Sequence, residues 1–325
     1  MKMSLSKKLI MYLSVFVLVI CIVLGGTSLL VSRKALFEEV ELALTEINFL
    51  GVEKIELAVS YRLDMLSEVA ARQYVRDMVF DIQRDRLFDD IERLGYLDMA
   101  IVDLKGQARY IKSDDVLDLS DRSYVQKALS GEANLSDVII SRATNQAVLM
   151  FAAPITRNGQ VVGAIIGRRD GNALQSITNS MGFGDNGYAY LVNQNGVIVA
   201  HPNREYVMEQ FNPIEASKTD EAFKEHAKIL EKILQNGTGT GTYRYMGKDM
   251  YVAYDIIPGT NWVLINTAFQ DEIYSRVRAL TIFLGILIGL VLVGAVLLSI
   301  VIGRSIARPI KIVTNQLEVQ SNLDF

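Results

Sequence analysis

Two long apolar runs, one near each end of the 325-residue chain, frame a polar middle. The first covers residues 9–31 and the second covers residues 280–302, and neither contains a charged residue. An α-helix rises about 1.5 Å per residue, so each run can cross a hydrocarbon core of about 30 Å. The pattern predicts two transmembrane helices with one or two globular modules between them, at residues 32–278.

Positively charged residues before the first run and after the second run indicate the orientation in the membrane. The flanking cations are Lys2, Lys7, Lys8, Arg304, Arg308 and Lys311. Such residues stay on the cytoplasmic side of a membrane. We therefore expect a multi-pass protein of the cell membrane, with residues 1–8 and the C-terminal segment in the cytoplasm and residues 32–278 outside it. A cleaved signal peptide is the alternative for the first run, but the run is longer than a usual signal core and Gly25-Gly26-Thr27-Ser28 is a poor cleavage site.

Residues 34–76 carry apolar side chains at alternating spacings of four and three, which predicts one long helix. The stripe consists of Leu36, Val40, Ala43, Ile47 and Leu50 and, after a one-residue slip, Ile55, Val59, Leu66 and Val69. Such a stripe packs against its own domain or forms the seam of a homodimer. The spacing leaves both interpretations open, and we expect a homodimer.

From residue 97 onward the apolar pattern changes to the period of strands. The order of hairpin, helix and three antiparallel strands occurs twice, and it predicts a membrane-distal module at residues 77–185 and a membrane-proximal module at 186–270. Ser120 or Asp121 is expected to cap a short helix that ends before Gly131, and Asn158-Gly159 is expected to form a two-residue hairpin turn. Residues 173–181 and 218–235 are predicted helices. A further helix is expected to run from Asp271 into the second apolar run.

Composition narrows the possible partners. Residues 32–278 hold 27 Lys and Arg against 35 Asp and Glu, a net charge near −8, which argues against nucleic acid and anionic membrane surfaces. The one cysteine, Cys21, lies in the first apolar run, so no intramolecular disulfide can form. Neither His201 nor His226 lies in a metal-binding motif. We expect His201 to end a hairpin and His226 to lie on a solvated helix face, with no metal, no cofactor and no catalytic residue.

Residues 182–187 match the glycine spacing of a dinucleotide-binding loop. That loop must follow a strand and open a helix, whereas this one follows a predicted helix and opens a predicted strand. We therefore expect a linker between the two modules.

The order of several short motifs resembles a double Cache domain over about residues 34–269. Asp121-Arg122-Ser123-Tyr124, Ala153-Pro154-Ile155 and Asp170 resemble its membrane-distal half. Gly187-Tyr188-Ala189-Tyr190-Leu191-Val192, together with His201-Pro202 and Trp262, is similar to its membrane-proximal half. The resemblance implies an α+β fold with a long N-terminal helix and two PAS-like antiparallel-sheet modules in tandem, flanked by the two transmembrane helices.

Residues 304–325 resemble the start of a HAMP linker, with a seam at Ile306, Ile310, Val313 and Leu317. The combination implies the sensor part of a bacterial methyl-accepting chemotaxis receptor that senses a small molecule and signals across the membrane. Sensors of diguanylate cyclases, phosphodiesterases or histidine kinases are the alternative, and a membrane-anchored extracellular enzyme or a structural tether is less expected. A cytoplasmic output module is missing from this chain, so we expect the chain to be a fragment or trimmed piece of a longer receptor, or a truncated gene product.

The resemblance also implies where a ligand binds. Double Cache sensors hold it between helix and sheet of the distal half, and the amino-acid-binding version uses an arginine for the carboxylate and an aspartate for the ammonium. Arg122 and Asp170 match these two positions, and a guanidinium fork suits a carboxylate. Tyr124 and Ser141 complete the candidate ligand-binding residues. Arg142 and Met150 are weaker candidates, based on strand position.

Several positions depart from the amino-acid-binding pattern. Tyr124 stands in place of a tryptophan, Leu117 and Val125 each in place of a tyrosine, and Ile139 and Ser141 in place of a tyrosine and an aspartate. The departures favour another small polar metabolite, such as an amine, a purine or a carboxylate. The plain alternative is that Arg122 and Asp170 pair with each other or cap local backbone, and that Tyr124 is an ordinary core residue.

Overall fold

The computed structural model describes residues 5–245 and 247–321. Two long helices, α1 (Leu5–Ala70) and α9 (Gln270–Ser321), contain the two apolar runs. Each has an apolar window long enough to cross a membrane, and none of the residues in either window is buried. Residues 1–4, Met246 and residues 322–325 lie outside the described residues, as do the side chains of the four predicted HAMP seam positions.

The chain divides into two units, one formed by residues up to 40 with those from 273 onward, and the other by residues 41–272. In the first unit, the ring of Phe37 meets that of Tyr274 edge-on at 5.3 Å, and the Arg33 guanidinium lies 6.0 Å from the centre of the Tyr274 ring. The second unit holds both sheets and the shorter helices.

The shorter helices are α2 (Gln73–Arg76), α3 (Phe80–Arg93), α4 (Ser123–Leu129), α5 (Gln175–Thr178), α6 (Arg204–Met208), α7 (Pro213–Ala216) and α8 (Lys224–Asn236), with a 3-10 turn at Glu221–Phe223. The strands of the distal module are β1 (Asp98–Val102), β2 (Gln107–Tyr110), β3 (Val116–Asp118), β4 (Asn134–Leu135), β5 (Ile139–Ile140), β6 (Ala147–Arg157) and β7 (Gln160–Asp170). Those of the proximal module are β8 (Ala189–Asn193), β9 (Ile198–Ala200), β10 (Gly239–Tyr245), β11 (Lys248–Ile256) and β12 (Trp262–Phe269).

Each module is built on one antiparallel sheet. The distal sheet has the order β3-β2-β1-β7-β6-β4, with β5 also paired to β6, and the proximal sheet has the order β10-β11-β12-β8-β9. In both sheets the first strand of the module pairs with the last one. The two equivalent sheets, the long helix α1 and the apolar helices confirm the predicted α+β fold class.

The distal sheet is covered on both faces, because side chains alternate along its strands. Met99 and Ile101 of β1 join the large core that also includes buried residues of α1 and α3, whereas Ala100 and Val102 join a second core with α4. The same alternation continues along β6 and β7. The face that meets α4 is called the α4 face below.

The hairpin between β6 and β7 forms as predicted. Asn158 and Gly159 have φ values of 53° and 77°, and Arg157 pairs with Gln160 across the turn. Both central residues of this turn need a positive φ, which asparagine and glycine tolerate best.

The long helix differs from its prediction at the C-terminal end. It stops at Ala70 rather than continuing to residue 76, because Arg72 has extended backbone angles (φ −67°, ψ 140°). The Arg72 guanidinium bonds the Tyr74 hydroxyl at 2.9 Å and pairs with the carboxylate of Asp90, which is 7% exposed and also pairs with Arg93. This ion cluster holds the bend between α1 and α3.

The buried stripe of α1 also runs differently from its prediction. Leu50 is 55% exposed, and the buried positions between Val40 and Ile55, which are buried as predicted, are Leu44, Asn48, Gly51 and Val52, so no slip in the stripe occurs. Spacings of four and three over this stretch follow the 3.6-residue period of a straight helix.

Three further predictions about helices are wrong in detail. Neither Ser120 nor Asp121 caps α4, because the N-cap position is Arg122, without a side-chain cap. The helix predicted at residues 173–181 is only α5, and the one predicted at 218–235 begins with the 3-10 turn and continues as α8. Helix α3, which the sequence did not predict, covers the distal sheet next to β1.

Candidate functional site

Two oppositely charged side chains face each other on the α4 face of the distal sheet. Asp98 of β1 is the cross-strand partner of Arg168 of β7, and Met150 of β6 is the partner of Arg168 on its other side. Arg168 and Asp98 are 8% and 2% exposed. Their nearest nitrogen and oxygen atoms, Nη2 and Oδ2, are 3.8 Å apart, which is a loose ion pair.

The pair is unequally satisfied. The other oxygen of Asp98, Oδ1, accepts hydrogen bonds from the backbone N–H groups of Met99 at 2.8 Å and Lys112 at 3.1 Å. By contrast, Nε and Nη1 of Arg168 have no hydrogen-bond partner, although both are buried. A buried donor without a partner costs about 1–3 kcal/mol, and more when it is charged. The arrangement is therefore suited to receive an acceptor.

Arg122 approaches the same face from the first turn of α4. Its position at the N-cap follows from its extended backbone angles (φ −79°, ψ 124°). The guanidinium donates one long hydrogen bond from Nη2 to the carbonyl of Ile140 at 3.4 Å, and its Nε is buried without a partner. Arg122 thus joins α4 to the short strand β5 and still has a free donor.

Two buried tyrosines lie close to the arginines. Tyr110 of β2 and Tyr124 of α4 are 2% and 4% exposed, and the Arg168 guanidinium lies 5.3 Å from the centre of the Tyr110 ring. Burial raises the pKa of both hydroxyls. At Tyr110 the positive charges of Arg168 and Arg122 oppose this rise. At Tyr124 the positive charges of Arg122 and Arg142 oppose it. Both hydroxyls therefore stay protonated and can donate a hydrogen bond to a ligand.

The carboxylate of Asp170 already has a hydrogen-bond partner and an ion-pair partner. Its side chain is 47% exposed, its Oδ1 accepts from the backbone N–H of Asn172 at 2.8 Å, and its Oδ2 is 3.3 Å from Nη2 of Arg204 in α6. The pairing of Asp170 with Arg122, which the sequence left open, does not occur. Asp170 instead connects the end of β7 to the proximal module.

Ser141 and Arg142 shape the loop after β5. Ser141 is buried, and its hydroxyl accepts from the backbone N–H of Ala143 at 3.2 Å, which is a turn-forming contact. Arg142 makes a bidentate pair with Asp121 at 2.7 and 2.5 Å and also bonds the carbonyl of Asp118 at 2.8 Å. Of the sequence candidates, Arg122, Tyr124 and Met150 therefore lie on or against the α4 face, whereas Asp170 and Arg142 are already paired.

Sequence reasoning missed Arg168, Asp98 and Tyr110. Arg168 lies two residues before Asp170 on the same strand, so the two-residue period of β7 puts both on one face. Asp98 and Tyr110 follow from the register of β1 with β7 and with β2. The place of Arg168 could therefore have been predicted from the sequence, whereas the places of Asp98 and Tyr110 depend on the strand order.

The proximal module contains a network of aromatic rings that joins its sheet to α8. Tyr190 of β8 donates to or accepts from Nε2 of His226 in α8 at 3.0 Å, and the ring of His226 stacks on that of Tyr243 at 5.2 Å. His226 is 6% exposed, so its predicted place on a solvated helix face is wrong. Burial lowers the pKa of His226 to about 4, and that of His201 to about 4 as well. Among the described residues, no group of three or more His, Cys, Asp or Glu side chains is arranged to hold a metal ion.

The two modules meet through a set of polar contacts. Nε1 of Trp262 donates to Asp137 at 2.8 Å, and the side chain of Gln210 donates to the carbonyl of Val138 at 2.7 Å. A cavity of about 130 Å³ lies beside the Trp262 contact. Asp137 and Val138 directly precede β5, whose Ile140 contacts Arg122, so the contact between modules lies close in sequence to the α4 face.

The family profile of the Cache domain matches residues 27–277. The chain belongs to the Cache domain family. The matched segment includes both sheets of the Cache domain, and with them the α4 face and the aromatic network.

Curated relatives of this Cache domain protein are chemotaxis receptors. It is 24% identical over 213 residues to the methyl-accepting chemotaxis protein PctB of Pseudomonas aeruginosa, which covers 60% of this chain and 32% of PctB. It is 27% identical over 194 residues to the methyl-accepting chemotaxis protein McpA of Bacillus subtilis, covering 59% of this chain and 26% of McpA. The alignments thus span only about a quarter to a third of the length of these relatives.

Solved structures show the same fold. The ligand-binding domain of the Pseudomonas fluorescens chemoreceptor CtaA, in complex with L-isoleucine, superimposes with a TM-score of 0.59 at 21% identity and covers 75% of this chain and 98% of that one. The ligand-binding domain of PctB of Pseudomonas aeruginosa, in complex with L-Arg, gives a TM-score of 0.59 at 22% identity, with 74% and 92% covered. At these identities the likeness establishes the fold of the Cache domain.

Proposed function

We propose that this chain is the sensor and membrane part of a bacterial methyl-accepting chemotaxis receptor, which binds a small polar solute on the α4 face of its distal module. The observation that carries the proposal is the set of three buried guanidinium nitrogens, on Arg122 and Arg168, that lack a partner. A structural ion pair would have satisfied them, since buried polar groups in folded proteins are nearly always paired. The curated relatives, all of them chemotaxis receptors, support the same function.

The proposed topology places the Cache domain outside the cytoplasm and both termini inside. It is supported by the two apolar helical windows and by the cations at their outer ends. Residues 304–325 would then begin a HAMP linker that leads to a cytoplasmic output module.

The proposed signal path runs through contacts between the two modules. Ligand on the α4 face would act on Arg122 and β5, and the adjacent Asp137 bonds Trp262 at the start of β12. β12 ends at Phe269, and α9 begins at the next residue. In the first turn of α9, the Glu272 carboxylate accepts hydrogen bonds from the backbone of Asp185 and, at 3.2 Å, of Asn186 in the linker between modules. A ligand can shift such an equilibrium only by its different affinity for the two states.

The proposal is tested by thermal unfolding of the full chain in nanodiscs against amino acids, amines, purines and organic acids. Ligand at about 100 times its Kd should stabilise the protein by about 2.7 kcal/mol. For a domain of this size that corresponds to a rise in Tm of roughly 5–10 °C. Arg122→Ala should abolish the rise, whereas Arg142→Ala, which removes an arginine already paired with Asp121, should largely retain it. No rise with any compound would contradict direct sensing.

The signalling part needs a separate readout. Pairs of cysteines introduced across the second apolar run of two copies should change their crosslinking rates when the ligand is saturating, since helix displacements at such interfaces are typically about 1–2 Å. Rates that ignore the ligand would contradict the path through α9, even if binding itself is confirmed.

A further inference from the structure

Two arginine side chains meet beside Gly95, on the face of the distal sheet that lies opposite the α4 face. Arg62 belongs to α1 and Arg169 to β7. Neighbouring residues of a strand point to opposite faces of the sheet, so Arg169 points away from the face that holds Arg168. Leu149, the cross-strand partner of Arg169, accordingly belongs to the large core. This arginine pair is therefore separate from the ligand site proposed above.

Gly95 brings the two guanidinium groups to one point. It lies between α3 and β1, is exposed, and has a φ of 71°, at which a residue with a side chain is strained. Apart from Gly95 and its two chain neighbours, the three heavy atoms nearest to the place of a β-carbon are all guanidinium nitrogens. They are Nη1 of Arg62 at 3.7 Å and Nη1 and Nη2 of Arg169 at 3.8 and 4.0 Å.

Within the part of the chain that the structure describes, no carboxylate pairs with either arginine. The guanidinium of Arg169 makes neither an ion pair nor a hydrogen bond there, and that of Arg62 donates one hydrogen bond, from Nη1 to the carbonyl of Leu94 at the end of α3. Two buried acids nearby are taken up elsewhere, Asp90 by Arg72 and Arg93 and Asp98 by Arg168. The other acids on the adjoining parts of α1 and α3 are exposed and form no ion pair with the arginine pair; they are Asp64, Glu68, Asp89 and Glu92.

The arrangement is unfavourable without a counter-charge. Burial lowers the pKa of the Arg169 guanidinium, and the positive charge of Arg62 lowers it further. Like charges that lie this close repel each other, and partial burial weakens the screening by water. An anion held between the two groups would replace this repulsion with two attractions.

We infer that the arginine pair beside Gly95 binds a small tetrahedral oxyanion of the phosphate or sulfate type. Two positive charges match a dianion, and guanidinium groups bind its oxygens through charge-assisted hydrogen bonds. A planar carboxylate has only two oxygens, which the fork of Arg169 would occupy, whereas a tetrahedral oxyanion keeps further oxygens for Arg62. Because Arg62 belongs to α1 and Arg169 to the sheet, the bound anion ties the long helix to the distal sheet.

The test is isothermal titration of the full chain in nanodiscs with sulfate, inorganic phosphate and acetate, at an ionic strength held constant with chloride. We expect sulfate and phosphate to bind at least tenfold more tightly than acetate. Sulfate should also slow amide hydrogen exchange at residues 92–97, around Gly95, and leave α4 unchanged. Both measurements use the unmodified protein, so they do not depend on whether a variant folds.

Variants then assign the anion to the arginine pair. Arg169→Gln should weaken sulfate binding at least tenfold, and Arg169→Lys should weaken it less, because lysine keeps the charge without the fork. The matched control is Arg157→Gln, which removes one positive charge from the exposed end of β6 and should bind sulfate as the unmodified chain does. Arg122→Ala, which alters the α4 face, should also retain sulfate binding. Thermal unfolding confirms that each variant is folded.

The outcomes separate this inference from the sensor proposal. Sulfate binding that is absent, no tighter than acetate binding, or unchanged in folded Arg169→Gln would overturn the inference. An equal loss in Arg157→Gln would reduce the effect to net charge, and a loss in Arg122→Ala would move the anion to the α4 face; either result would also overturn it. The sensor proposal is unaffected by these results, because its test uses organic solutes and Arg122.

Discussion

At the scale of single residues, burial determines what the charged and titratable groups can do. His226 and Arg168 are both more than nine-tenths buried, yet one can shed its charge and the other cannot. The low pKa of His226, about 4, makes it a neutral partner for Tyr190 at neutral pH. The guanidinium of Arg168 instead faces the carboxylate of Asp98 at 3.8 Å. The buried polar groups of the two modules therefore differ in electrostatic character.

The buried histidine predicts a stability that depends on pH. The pKa of His226 falls from 6.5 to about 4 on folding, so the unfolded chain takes up the proton first as the pH falls. Its contribution to stability is complete above about pH 6.5 and is lost progressively towards pH 4, by roughly 3 kcal/mol. His226→Phe should therefore lose less Tm between pH 7 and pH 4.5 than the unmodified chain, as measured by thermal unfolding in nanodiscs. Equal losses in both proteins would show that another group titrates.

At the scale of elements, the exposed side of α1 is notable in the second unit. Several large apolar side chains lie on the side of the helix that is not buried: Leu42 at 72%, Phe49 at 62%, Leu50 at 55%, Leu57 at 62% and Tyr61 at 60% exposed. Glu53 and Asp64 lie among them, so the stripe is only partly apolar. Helices with such a stripe commonly pair. We therefore expect the seam of a homodimer on this side, which shares Leu50 with the stripe expected from the sequence.

Disulfide crosslinking tests that seam. In a Cys21→Ser background, Leu57→Cys should form a disulfide between two copies in nanodiscs or membranes. Thr45→Cys, which is also exposed but is turned by about 120° from Leu57 around the helix, should form little. Equal crosslinking at both positions would contradict a defined seam, and the yield is measured on non-reducing gels.

The local hydrophobic pattern of the sequence determines the lengths of some elements but not of others. The long apolar and amphipathic stretches that became α1 and α9 were predicted because a repeat sustained over many residues outweighs local irregularity. The end of α1 at Ala70 was not predicted. The ion cluster of Arg72, Asp90 and Arg93 holds the bend there, and it joins residues that lie apart in the chain. Short helices such as α5 carry too few residues for a period to be recognised.

At the scale of the Cache domain, Trp262 is placed to report on the proposed ligand site. It is the one tryptophan of the chain, is 1% exposed, and bonds Asp137 across the two modules at 2.8 Å. Because Asp137 precedes the strand that contacts Arg122, ligand binding on the α4 face should change the environment of the indole ring.

This placement gives a fluorescence prediction. A saturating ligand should shift the intensity or emission maximum of Trp262 in the full chain. Asp137→Asn, which weakens the acceptor of the indole N–H, should reduce the change while leaving the ligand affinity within a fewfold of its original value. Asp103→Asn is the control, since Asp103 serves a turn between β1 and β2. A full response in Asp137→Asn would exclude this contact from the signal path.

The sequence by itself determined the apolar runs, the long helix and the tandem order of two antiparallel modules, and it named Arg122 and Tyr124 as candidate ligand-binding residues. These features depend on composition and on periods of two and 3.6 residues, which neighbouring residues set. Only the tertiary structure decided that Arg168 faces Asp98, that Arg204 takes up Asp170 and that His226 is buried. Each of these contacts joins residues on elements far apart in the chain, and the energy of a charged or polar side chain depends on burial and partners that no local pattern specifies.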